Sequence, residues 1–107
     1  MFRLTRVFIF VSAGIICACT KTDPDIVAGE QVFNQTCKVC HASGINGAPI
    51  VGNKTMWRDR ATQGVDVLTQ HAFEGYGLMP AKGGNDTLGK EQINHAVKYF
   101  LSRLESE

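Results

Sequence analysis

The five residues Cys37-Lys-Val-Cys40-His41 constrain this 107-residue chain more than any other feature of it. C-x-x-C-H is the signature of covalent haem attachment. Two thiols three positions apart at a helix end can reach the two vinyl groups on one edge of a porphyrin. The next residue then brings its imidazole under the iron, for which a neutral imidazole is a good ligand. A chance occurrence in a chain of this length is on the order of one in a thousand from ordinary residue usage. Two rivals share part of the pattern. A thioredoxin-type redox pair expects a βαβ frame around C-x-x-C, and none is visible here. A zinc site needs further ligands at defined spacing; there is no second pair of cysteines inside the domain, and His71 and His95 are the other imidazoles available.

The amino-terminal segment reads as an export signal. Arg3 and Arg6 precede an apolar run from Val7 to Ala18, interrupted by Ser12 and Gly14. A basic head, a short apolar middle and small residues at the end describe a cleaved secretory peptide over residues 1–18. The run is about a dozen residues, where a spanning helix needs ~20, so an uncleaved anchor is the second choice. Ile16-Cys17-Ala18-Cys19 resembles a bacterial lipoprotein signal, with Cys19 as the lipidated mature terminus; the plainer alternative is ordinary cleavage near Ala18. Lipidation would hold the domain on a membrane surface, since two or more acyl chains give stable anchoring. Residues 19–25 then form a polar tether and residues 26–107 the domain.

Without its first eighteen residues the chain has nine basic and ten acidic side chains, a formal charge of −1. No basic block points to nucleic acid, and no substrate or nucleotide pocket is suggested. The mature part is about ninety residues, close to the size at which a core alone is marginal. Cys37 and Cys40 lie too close together to staple it as a disulfide. Something larger than a side chain has to supply the missing interior.

Helical periodicity dominates the domain. Ile26, Gly29, Phe33 and Cys37 share one face, with Asp23 or Asp25 as cap and Pro24 in the first turn. A glycine-rich loop over residues 43–52 leads to a short helical piece at 54–62. A helix over 65–73 follows, with Val65, Leu68 and Ala72 inward, ended by the glycines at 75 and 77. Residues 78–86 form a second loop. The last helix carries Ile93, Ala96, Val97, Phe100, Leu101 and Leu104 as one stripe, with Gly89 as cap and Gln92 three residues on. No strand pattern is visible; the fold is all-α with loops that carry function.

Beyond the attachment motif, these residues resemble the class I c-type cytochromes, and within them the small bacterial cytochrome c₅ group, over nearly the whole mature chain. Gly29 and Phe33 stand eight and four residues before Cys37. The resemblance implies four to five short helices wrapped around one covalently attached haem c. It also implies a close crossing of the first and last helices at the glycine, with Val97 and Phe100 opposite. Gly44-Ile-Asn-Gly-Ala-Pro49 matches the family's G-x-x-G-A-P loop and implies that the Pro49 carbonyl holds the far ring nitrogen of His41. Trp57 and Arg60 match W-x-x-R, implying a wall residue and a propionate contact. Residues 75–84, containing Met79-Pro80, imply Met79 as second axial ligand. The chain lacks the additional cysteine pair of typical c₅ proteins.

Other residues compete for these roles. Met56, beside Trp57 in a helical piece, is expected to pack; His71 is expected to be a partly exposed helical histidine, and His95 to be solvated. Lys38, Lys54 and Lys82 could ring an exposed haem edge. The function implied is a monohaem carrier of single electrons outside the cytoplasm, not an enzyme, docking redox proteins at that edge. The alternatives are a haem subunit of a larger oxidase or reductase, and a gas-binding protein with a labile distal ligand.

Overall fold

The computed structural model describes residues 9–17 and 19–106. Half of the export signal expected at residues 1–18 is thus described; residues 1–8 and Ala18 lie outside the described residues. Residues 9–17 and 19–22 are exposed and carry no regular secondary structure. No helix among the described residues is long and apolar enough to cross a membrane.

The first helix, α1 (Pro24–Val32), starts where the sequence supplies a start. The Asp23 carboxylate accepts the Asp25 backbone N–H at 2.9 Å, and Pro24 sits in the first turn, where no N–H is needed. The helix therefore begins two residues before the boundary expected at residue 26, because the cap is Asp23 and not Asp25. It runs through a π-turn (Phe33–Cys37), in which the Lys38 N–H reaches back to the Phe33 carbonyl, into α2 (Lys38–His41). Helix α3 (Lys54–Ala61) is capped by Asn53, whose side-chain oxygen accepts the Met56 N–H at 3.0 Å. Then come α4 (Val65–Glu74) and α5 (Lys90–Glu105), the latter opened by a 2.8 Å bond from the Gly89 N–H to Gln92 Oε1. There is no strand among the described residues, and the class is all-α.

α1 finds its largest packing partner in α5. A Cβ on Gly29 would stand 1.9 Å from the His95 carbonyl oxygen and 2.5 Å from its carbon, so only glycine lets the two backbones touch. The glycine thus meets the His95–Ala96 backbone, immediately before the buried Val97. Phe33 packs edge-on against Phe100, with centroids 5.4 Å apart, and tilted against Tyr99 at 5.3 Å.

The packed interior is small. Val32, Leu88, Ile93 and Ala96 form one buried cluster, and Phe33, Trp57 and Phe100 another, with Cys37 against both. Among the described residues no large side chain is completely enclosed. In α4 the residues expected inward, Val65, Leu68 and Ala72, are half-buried, and Thr69 is the buried one; its hydroxyl accepts from Asn94 Nδ2 at 3.2 Å. Leu68 and Ala72 line a cavity, and Ala72 also packs against the Val32–Leu88–Ile93–Ala96 cluster.

Candidate haem site

A cavity of about 650 Å³ takes the place of a core. It falls within the ~300–1,000 Å³ usual for cofactor sites, and its lining is predominantly apolar. The helix carrying the attachment motif, both glycine-rich loops, α3, α4 and α5 all contribute to it.

Cys37, Cys40 and His41 line this cavity together. His41 is only 9% exposed, wedged edge-on to Phe100 with centroids 5.1 Å apart. Its Nδ1 lies 2.8 Å from the Pro49 carbonyl oxygen. A carbonyl can only accept, so Nδ1 carries the proton and Nε2 is left with its lone pair free for a metal. Burial pushes the Cys37 thiol up to about 11, which keeps it neutral at ordinary pH. A thioredoxin-type pair depends on a lowered thiol pKa, so this shift counts against that rival. Among the described residues no group of three or more His, Cys, Asp or Glu converges as a metal site.

The next carbonyl is fixed as well: Trp57 Nε1 donates to Ile50 O at 2.8 Å, and the indole forms part of the cavity wall. Arg60 lines the cavity and donates to the Met56 carbonyl of its own helix, whereas Arg58 does not reach the lining. Met56 packs against the Phe33–Trp57–Phe100 cluster, as its place beside Trp57 suggested.

Met79 enters the cavity from a tight turn. Tyr76 and Met79 pair through both backbone bonds, at 3.0 and 2.9 Å, around Gly77, whose φ is +57°. Gly75 is needed for close approach: its φ is +90°, and a Cβ there would lie 3.0 Å from the Ala81 nitrogen and 3.1 Å from the Met79 oxygen. A second tie joins the end of this loop to the attachment helix, Asn85 Nδ2 donating to Thr36 Oγ1 at 3.0 Å.

Of the two other histidines, His71 is a partly exposed helical residue as expected, and the expectation for His95 needs correction. His71 lines the cavity and stacks on Tyr76, with centroids 4.0 Å apart and planes 16° from parallel. His95 is not freely solvated; it leans on α1, its Nε2 3.5 Å from Asp25 Oδ1. Of the three lysines expected around the edge, Lys82 lines the cavity, and Lys38 and Lys54 are exposed residues outside its lining. Around the opening, Val39, Ile45, Tyr76 and Leu78 are exposed apolar residues.

The residues fit a haem. Two thiols, an imidazole with its outer nitrogen free, a thioether and an apolar hollow share one space, with Arg60 and Lys82 the cationic side chains of its lining and no carboxylate among them.

Comparison with known proteins agrees. Residues 24–100 match the family described as Cytochrome C oxidase, cbb3-type, subunit III. The chain is 37% identical over 103 residues to cytochrome c-555 of Chlorobaculum tepidum, covering 88% of this chain and 95% of the relative. It is 38% identical over 85 residues to cytochrome c6 of Porphyra purpurea, covering 76% and 74%. Among solved structures, the cytochrome c in an electron transfer complex with nitrite reductase superimposes with a TM-score of 0.69 at 36% identity, over 78% of this chain and 98% of that one. Reduced cytochrome c551 of Ectothiorhodospira halophila gives 0.61 at 36% identity, over 71% and 99%.

Proposed function

The chain belongs to the small class I c-type cytochromes, carries one covalently bound haem c and is an electron carrier rather than an enzyme; on that premise we propose that His41 and Met79 are its two axial ligands. The observation that carries this reading is the pairing of a tautomer-fixed His41 with Met79 on the lining of one cavity. When bound, the haem supplies a reversible ferrous/ferric couple, and His/Met ligation raises its potential.

The side chains divide the work. Cys37 and Cys40 anchor the group, and Pro49 holds the His41 ring against rotation through its Nδ1 proton. Trp57, Ile93, Ala96, Val97 and Phe100 exclude water, which favours the less charged ferrous state. Arg60 supplies a cation for a propionate. The opening, bordered by Val39, Ile45, Tyr76 and Leu78, is where a redox protein docks, in line with the solved neighbour that pairs with nitrite reductase.

The domain works outside the cytoplasm, tethered by a lipidated Cys19, with residues 19–23 as the spacer before α1. The exposed, irregular stretch before Pro24 supports this reading, as does the sequence at 16–19. The intact mass of the mature protein tests it: acyl chains on Cys19 support the tether, and an unmodified terminus removes it.

The matching family description favours one second reading, a haem subunit of a larger oxidase. Purification from its native membrane decides: a large stoichiometric partner would support the subunit role. The axial assignment is tested by visible spectroscopy. A low-spin ferric spectrum with the weak far-red band of iron–sulfur ligation, lost in Met79→Ala, is expected; a high-spin spectrum or a missing band in the unmodified protein overturns it.

A further inference from the structure

The turn that carries Met79 has little above it. Leu78 is 82% exposed, and a Cβ on Gly77 would meet nothing within 4 Å. A turn so placed can swing outward unless something ties it to the body. Two ties lie beyond it, Lys82 over the Phe73 ring of α4 at 5.0 Å and the Asn85–Thr36 bond. Within the turn itself the tie is Tyr76. Its backbone is bonded in both directions to Met79, so neither residue moves without the other. Its ring is 64% exposed, which burial alone does not explain, and its hydroxyl bonds to no described residue. What the ring does is lie flat on His71 of α4, at 4.0 Å and 16°.

We propose that His71 and Tyr76 are positioning residues that act as a latch, their stacked rings holding the 76–79 turn closed so that the Met79 sulfur stays at the iron. The inference rests on Met79 ligation. His71 is not a ligand in this arrangement; it is the fixed plate on α4 against which the turn rests. Displacing the sulfur requires the turn to open and the stack to part, so the latch appears as resistance to an incoming sixth ligand. An aromatic pair of ordinary strength corresponds to roughly two- to tenfold in such an equilibrium.

The test uses the haem-loaded protein and imidazole as the incoming ligand, titrated into the ferric form and followed in the visible spectrum. Tyr76→Leu and His71→Leu should each bind imidazole roughly three- to tenfold more tightly than the unmodified protein. The double variant should bind no more tightly than either single one, because one contact is lost in all three. Tyr76→Phe keeps the ring and should stay within about twofold of the unmodified protein. Denaturant unfolding followed by far-UV circular dichroism separates a loosened turn from a weakened fold. Single variants with unchanged imidazole affinity would overturn the latch, as would effects that simply add in the double variant or track global stability. Absence of the far-red band from the unmodified protein is a different failure: it overturns the axial assignment, and the latch with it.

Discussion

His41 has two ring nitrogens, and the Pro49 carbonyl decides between them by taking the proton of one. That choice was foreshadowed by the family resemblance of the loop Gly44-Ile-Asn-Gly-Ala-Pro49, which implies this carbonyl as the partner. Gly29 is equally specific. Its missing side chain admits the His95 carbonyl, and a methyl there has no rotamer to escape into. Gly29→Ala should cost about 3 kcal/mol in overpacking, offset by about 1 kcal/mol of helix propensity. A net loss of about 2 kcal/mol, read as a lower denaturant midpoint with haem still attached, is the expected outcome; an unchanged midpoint would mean the helices part freely. The attachment residues were singled out by chemistry that fixes residue type and spacing together, and Pro49, Trp57 and Met79 by the family resemblance; all of them line one hollow. The ion-pair position of His95 was not legible, nor was the stacking of His71 on Tyr76. A helical wheel separates core from solvent, but α4 has a third face, toward a hollow, and no sequence period marks it.

At the level of elements, the crossing of α1 and α5 has an electrostatic side as well as the glycine contact. Lys98 Nζ donates to Asp25 Oδ2 at 2.5 Å, and His95 stands 3.5 Å from the other carboxylate oxygen. The lysine holds the Asp25 carboxyl below its ordinary range, and Asp25 raises the lysine in turn. The signs give a window. The depressed carboxyl stabilises the fold above its unfolded pKa of ~3.9, and this is lost as pH falls through the folded value. The raised ammonium stabilises below its unfolded pKa of ~10.4, and this is lost as pH climbs through the folded value. Lys98→Met should therefore flatten the stability–pH curve at both ends. The effect is small because the pair is exposed, and it should shrink further in salt. A variant curve parallel to that of the unmodified protein would show that the pair contributes nothing. The helices themselves were readable from periodicity to within about two residues. The π-turn at Phe33–Cys37 was not, because one inserted residue leaves the three-and-four spacing of apolar positions within helical tolerance.

For the whole molecule, the hollow dominates the energetics. A predominantly apolar hollow of about 650 Å³ leaves its wall facing water, and each apolar Å² so left forfeits roughly 25 cal/mol. A domain held together by only ~5–15 kcal/mol has little margin for that loss. The chain without haem should therefore not keep this fold. Cys37→Ser/Cys40→Ser, produced without the cofactor, is expected to lose most of its far-UV helical signal and to unfold without a cooperative transition. Native helicity in that variant would mean that the chain collapses into its own hollow and needs no filler. Sequence length alone pointed this way, since ninety residues with no staple leave a core short of apolar volume. What length could not show is how the wall is shared among α1, α3, α4, α5 and two loops, because that depends on contacts between residues far apart in the chain.

The pairing of α1 with α5 also sets an order of events during synthesis. The helix that bears both cysteines leaves the ribosome early, while its main partner is the last helix made. Until α5 emerges, the face of α1 that meets it at Gly29 stays open, and the segment continuing to Cys37 lacks the Ile93, Ala96 and Phe100 side chains of the clusters it packs against. Enclosure is thus the final act of a vectorial process, and attachment chemistry has the full interval before it in which to work.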